Sequence, residues 1–204
     1  MSLTIDLGIN VSADTTPVAL YNINLLRYSQ QFNNALWSKA LATVTEDVVA
    51  TTAPDGTNTA DKIIVNNLQN SGNAFQTLTK TETAIQYTAS IYAKSAEWNS
   101  LGLYLQGGSF TNRASVIANM TAGTKNTAAV NGTFTSASAT LTSIGSGWYR
   151  ISLTATTGTE TSIQVYAYPA NNLTFVNGDG TSGVYVWGAQ LQYGSAMTPY
   201  IVTN

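Results

Sequence analysis

Groups able to do chemistry are few and scattered in this sequence: ten Asp and Glu, eight Lys and Arg, no His and no Cys among 204 residues. Without imidazole there is no general base of the usual triads and no His-ligated zinc. Without thiols there is no disulfide framework, no thiolate nucleophile and no Cys-based metal site. Paired carboxylates at controlled separation would be needed for glycoside hydrolysis. The acids do not supply them: Asp55, Asp61 and Asp179 fall in turns, and the neighbours Glu46 and Asp47 would point to opposite faces of a strand. Asn177-Gly178-Asp179-Gly180 offers one carboxylate where a calcium loop supplies several, so it reads as a turn. No glycine-rich loop precedes a helix to cradle a phosphate. The expectation is a protein that is not an enzyme and uses neither cofactor nor metal.

What remains is recognition chemistry built from neutral polar and aromatic groups. Sorting strand candidates by their period of two puts Ile85, Tyr87, Ala89, Ile91 and Ala93 on one side, with Tyr92 and Lys94 opposite. In the same way Leu101, Leu103 and Leu105 leave Tyr104 and Gln106 outward, and Tyr149, Ile151, Leu153 and Ala155 leave Arg150 outward. Ile163, Val165 and Ala167 leave Gln164, Tyr166 and Tyr168 outward. In the last long strand Tyr185, Trp187, Ala189 and Leu191 are read as inward, because the other register would bury Gln190 and Gln192. The outward set is therefore Tyr92, Lys94, Tyr104, Gln106, Arg150, Gln164, Tyr166 and Tyr168. Three uses fit it: phenol rings and amides stacking on and bonding a sugar, a solvated sheet face, or packing against another subunit. Trp98 serves as a stacking platform or as a lid on the core.

The elements that must position these groups are strands. Charged residues make up 9% of the chain, while Thr (31), Asn (19) and Ser (18) supply the polar surface. Thr favours pleated strands, and Asn and Ser favour turns. Strand candidates lie near 42–50, 60–65, 74–79, 84–95, 101–106, 114–119, 148–156, 162–168 and 183–193. Turn signals such as Ala53-Pro54-Asp55-Gly56-Thr57 separate many of them. Residues 33 to 40 could form one short helical turn, and the Thr/Ala/Ser/Gly-rich stretch from Gly107 to Gly147 carries strand content at Val116-Ile117 and Leu141 to Ile144. Many short strands with regular breaks mean an all-β sandwich or barrel. A chain of this length buries roughly 70% of its extended surface, enough for one core and one domain.

Residues 1–22 read as an N-terminal arm ahead of a sandwich spanning 23–204. Leu3, Ile5, Leu7, Ile9 and Val11 alternate with Thr4, Asp6, Gly8 and Asn10. A lone strand gains little by itself, so this one either adds to another chain or forms the first strand of the same sandwich. The net charge is -2, which disfavours a nucleic-acid partner. No apolar run approaches the roughly 18 residues of a bilayer span, and the first residues lack the basic start of a signal peptide.

Three blocks resemble one family in order and spacing: Asn24-Leu25-Leu26-Arg27-Tyr28-Ser29-Gln30-Gln31-Phe32-Asn33-Asn34-Ala35-Leu36-Trp37, then Thr52-Ala53-Pro54-Asp55-Gly56-Thr57 leading to Thr59-Ala60-Asp61-Lys62, then Gly147-Trp148-Tyr149-Arg150 with Val184-Tyr185-Val186-Trp187-Gly188-Ala189-Gln190-Leu191 and Thr198-Pro199-Tyr200-Ile201. Together they look like the carbohydrate-binding-module-like jelly-roll domains of tailed-phage and prophage structural proteins, in tail or head fibres and decoration proteins. The resemblance implies a jelly-roll β-sandwich in a non-catalytic virion protein, assembled in the host cytoplasm, and no known ligand. The expected partners are other virion proteins and further copies of itself, and the outward tyrosine face is expected to serve either host-surface polysaccharide or subunit packing. A free-standing carbohydrate-binding module is the alternative. Related sugar-binding jelly rolls hold a calcium ion partly through acids of the last strand; here Gln190 and Gln192 stand there. The arm lies outside the resemblance.

Overall fold

The computed structural model describes residues 23–204. The arm, with Leu3, Ile5, Leu7, Ile9 and Val11, lies outside the described residues. Thirteen strands follow in chain order: β1 (Ser38–Ala40), β2 (Ala42–Thr45), β3 (Asp61–Val65), β4 (Asn73–Thr79), β5 (Gln86–Ser95), β6 (Ser100–Gln106), β7 (Arg113–Asn119), β8 (Thr124–Lys125), β9 (Ala129–Asn131), β10 (Thr135–Gly145), β11 (Trp148–Thr156), β12 (Ser162–Ala170) and β13 (Gly183–Tyr193). They form two antiparallel sheets, and no helix forms among the described residues. The seven-stranded sheet runs β1-β4-β12-β6-β7-β8, with β9 also paired to β7; the six-stranded sheet runs β10-β11-β5-β13-β3-β2. The principal strands thus interleave as β3-β13-β5-β11 against β4-β12-β6-β7, which is the double Greek-key order of a jelly roll.

The core lies between the sheets and is supplied by the apolar parity of each strand. Ile91, Ile151, Leu153, Leu101, Leu103, Leu105, Val165 and Ile163 are all at most 2% exposed. Leu26, Phe32 and Trp37 join them from the chain that precedes β1. Trp98 packs into this core and is not a surface platform. In place of the helical turn expected at 33–40, the chain makes successive tight turns: Gln31, Asn34 and Trp37 each donate to the carbonyl three residues back, and β1 then begins. Asn34, whose side chain accepts from the Leu36 amide, caps its own turn rather than a helix. The stretch 107–147 holds four strands, among them the eleven-residue β10, whose Thr/Ser/Ala alternation carries few large apolar groups to announce it.

β13 corrects one register. Val184 and Val186 face the core, then a bulge between Trp187 and Gln190 shifts the parity so that Ala189 and Leu191 face it too. Tyr185 and Trp187, read as inward, instead lie on the outer face with Trp148, Tyr92 and Tyr200. Gly188 sits at the bulge with φ +59, and a Cβ there would come within 3.0 Å of the Tyr92 ring and 3.2 Å of Tyr200. Gln190 and Gln192 are buried, but under the C-terminal segment. Gln190 Oε1 accepts from the Ile201 amide (2.7 Å) and Gln192 Oε1 from Thr198 (3.2 Å). The C-terminal segment therefore straps the outer face of the six-stranded sheet.

Candidate functional site

That strap divides the outward set. Tyr92, Lys94 and Arg150 lie on the six-stranded sheet, whereas Tyr104, Gln106, Gln164, Tyr166 and Tyr168 lie on the seven-stranded sheet at the opposite surface. The eight residues do not form one face. Arg150 is buried; its guanidinium donates to Ser90 Oγ (2.9 Å) and Thr198 O (2.8 Å) and lies 5.2 Å from the centre of the Tyr92 ring. Lys94 Nζ reaches Thr51 Oγ1 (2.9 Å). These side chains are engaged within the fold, clamping the strap and the 47–60 loop.

The outer face of the seven-stranded sheet is organised by register into two rows. Antiparallel partners opposite one another share a face, so Phe75, Tyr166, Tyr104 and Ser115 form one row across β4, β12, β6 and β7. Thr77, Gln164, Gln106 and Arg113 form the next. In the first row the aromatic faces are spent on each other. Phe75 stacks on Tyr166 (4.6 Å, 16°) and Tyr166 on Tyr168 (5.3 Å, 12°), with Phe175 closing on Tyr168 and Tyr104. Tyr104, Tyr166 and Tyr168 are 8%, 8% and 6% exposed, so they are not the open stacking platforms that the alternation suggested. Burial pushes all three phenols above their ordinary pKa and keeps them neutral hydrogen-bonding groups.

The second row is a directed amide chain. Gln106 Nε2 donates to Gln164 Oε1 (3.2 Å), and Gln164 Nε2 donates to Thr77 Oγ1 (3.0 Å). At the β6–β7 end the chain stops short. Gln106 Oε1 and Arg113 Nε, on directly paired residues, are both buried and have no hydrogen-bond partner among the described residues. One is an acceptor and the other a donor. The Arg113 guanidinium lies 4.0 Å from the centre of the Phe110 ring, and Phe110 is 58% exposed. This end combines an unpaired acceptor, an unpaired donor, a fixed cation and an exposed aromatic ring. Arg113, Phe110, Phe75, Thr77 and Ser115 were absent from the outward set. The Gly107-Gly108 turn between two strand candidates was the signal that pairs Gln106 with Arg113.

Acidic groups converge elsewhere. A cavity of about 340 Å³ is lined by Gln30, Asn33, Glu46, Asp47, Thr59 and Asp61 among others. Asp61 is 1% exposed, and its two oxygens accept from the Phe32 amide (2.7 Å) and the Asp47 amide (3.0 Å). Among the described residues no three acids stand close enough to hold a metal ion. Asp179 is a turn residue, accepting from the Ser182 hydroxyl (2.6 Å) and from the amides of Ser182 and Thr181, which together draw its carboxyl well below the usual range.

No protein-family model matches the chain, and no curated protein sequence does. Among solved structures, the enzymatically active domain of tailspike protein 4 of bacteriophage CBA120 is similar to 84% of this chain, with 13% identity and a TM-score of 0.48. This chain corresponds to 22% of the length of that one.

Proposed function

We propose that the chain is a non-catalytic structural protein of a phage virion, a decoration, collar or fibre-type subunit, whose seven-stranded sheet contacts a carbohydrate at the Gln106–Arg113 end of its polar row. The virion setting rests on the sequence blocks that resemble phage jelly-roll domains. The carbohydrate reading rests on one observation: a buried acceptor and a buried donor, Gln106 Oε1 and Arg113 Nε, unpaired on facing residues. Leaving such groups unpaired costs about 1–3 kcal/mol each. An alcohol is donor and acceptor at once, so a sugar hydroxyl can pair with either group once its side chain turns outward. Phe110 beside them supplies apolar surface for the C–H face of a pyranose.

The test is calorimetric titration of the full chain with neutral and acidic oligosaccharides. At least one should bind with a Kd in the millimolar-to-micromolar range, about 4 to 8 kcal/mol. Gln106→Ala and Arg113→Ala should each weaken it tenfold or more, while Lys94→Ala on the opposite face should leave it unchanged. Equal loss in all three variants, or affinity untouched by Gln106→Ala and Arg113→Ala, would remove the site from this face.

A further inference from the structure

Charge is divided unevenly between the two sheets. The strands of the seven-stranded sheet contain Lys39, Arg113 and Lys125 and no Asp or Glu, although the chain as a whole carries a net charge of -2. Lys39 is engaged beside β1, where its ammonium donates to Asn33 O (2.9 Å) and Asn34 O (3.0 Å). Lys125 lies on β8, at the other end of β7 from Arg113. Arg113 is thus the cation of the Gln106 row. It has no counter-ion: among the described residues the one ion pair joins Lys62 to Glu97 (2.7 Å). Glu160, the acid packed against Gly107 of the same turn, accepts instead from Thr133 Oγ1 and lies beside Lys80.

The guanidinium also presents a particular edge. Nη1 donates to Phe110 O (2.6 Å), and the group lies 4.0 Å from the centre of the Phe110 ring. That leaves the Nε–Nη2 edge, whose two parallel N–H groups match the two oxygens of a carboxylate. A half-buried cation without a counter-ion is stabilised more by an anion than by a neutral acceptor. Opposite it, Gln106 Oε1 calls for a donor. A carboxylate flanked by a hydroxyl meets both needs, since its oxygens accept from Arg113 while the hydroxyl donates to Gln106. A neutral sugar lacks the charge, and a bare carboxylate lacks the donor. We propose that the ligand of this end is an acidic saccharide of the uronic-acid class, its carboxylate on the Nε–Nη2 edge of Arg113 and a ring hydroxyl on Gln106 Oε1. Nε is reached once the Arg113 side chain turns outward. The Phe110 ring against it is 58% exposed on the turn between β6 and β7, so it gives up little buried surface by following. This names the ligand class of the carbohydrate site proposed above and rests on that reading.

Calorimetric titration of the full chain with oligomers of galacturonate, glucuronate and mannuronate, each beside its methyl ester, tests the class. At least one uronide should bind at least about tenfold tighter than its ester, which keeps the ring but not the charge, and the difference should shrink as salt is raised. Arg113→Lys keeps the charge without the paired N–H edge and should lose most of the preference. Arg113→Gln should lose all of it, while Lys94→Ala on the opposite face should change nothing. Esters or neutral oligosaccharides bound as well as the uronides would overturn the acidic class and leave the carbohydrate site intact. A preference untouched by Arg113→Gln would overturn Arg113 as its origin. A sulfated oligosaccharide bound as tightly as the uronide would overturn the carboxylate. A form lacking residues 1–20 that bound at least about tenfold tighter than the full chain would show Arg113 already paired within the chain and overturn the open site. No binding by any saccharide, acidic or neutral, would overturn this inference and the carbohydrate reading together.

Discussion

Replacing Lys80 with Met should lower the stability of the fold by about 3 kcal/mol and its Tm by about 6–12 °C. Lys80 is 7% exposed and follows directly on β4. Its three N–H groups are shared among four backbone carbonyls, those of Thr81 (2.8 Å), Thr83 (3.0 Å), Gly158 (3.1 Å) and Glu160 (2.6 Å). Thr81 and Thr83 lie between β4 and β5, and Gly158 and Glu160 between β11 and β12, so one cation ties together two of the crossings between the sheets at this end. Burial pulls its pKa down, while the nearby Glu160 and Glu82 carboxylates oppose that. Met keeps the apolar stem but leaves four carbonyls without their donor. Urea unfolding of the variant beside the parent chain checks this, and a change below about 1 kcal/mol would mean that the carbonyls find other donors.

Asp61 should produce the second large effect, and one that depends on pH. Burial is the main cause that lifts its carboxyl from an ordinary 3.8 to about 6, against the two backbone amides that favour the charged form. A pKa raised in the folded state means that the native chain binds more protons between those two values. The Asp61 contribution is therefore fully present below about pH 4 and is lost as pH rises through about 6, by about 3 kcal/mol at most. Asp179 and Glu97, whose pKa values are lowered, act in the opposite sense and lose their contribution as pH falls. The difference between the parent chain and Asp61→Asn isolates the Asp61 part. That difference should change across pH 4 to 6 and be flat above it. Asp61→Ala, which orphans the amides of Phe32 and Asp47, should cost about 3 kcal/mol at neutral pH. A pH-independent difference between parent and Asp61→Asn would show that Asp61 titrates normally.

Strand parity made most of the core legible. Ile85 to Ala93, Leu101 to Leu105 and Ile151 to Ala155 face inward because a period of two with one apolar parity has a single burial solution. It failed at Trp187, where one bulge reverses the parity within a strand and nothing local announces it beyond Gly188. It was also silent on β10, whose burial rests on Ala137, Ala139 and Leu141 among Thr and Ser. The residues of the outward set lie on the outer faces of two different sheets and not on one surface. Parity says which side of a sheet a residue takes, not which sheet, and sheet membership is set by long-range pairing. β5 and β11 went to one sheet and β6 and β12 to the other, so Arg150 and Tyr92 parted from Tyr104 and Gln106. Outward also proved different from exposed: Tyr166 and Tyr168 turn outward and are buried by each other and by Phe75 and Phe175. The Gly107-Gly108 turn hinted at the Gln106–Arg113 pairing, but that both side chains keep a buried unpaired atom showed only once β6 and β7 were in register.

The most direct test of the account is chemical-shift mapping of the isotope-labelled full chain titrated with an oligosaccharide series up to about 10 mM, which reaches weak millimolar binding. Saturable shifts should centre on Gln106, Phe110, Arg113 and Gln164, including the Gln106 side-chain amide and the Arg113 Nε–H, and leave Lys94 and Arg150 unmoved. Saturable shifts confined to the strapped face, or no saturable shift with any saccharide, would contradict it.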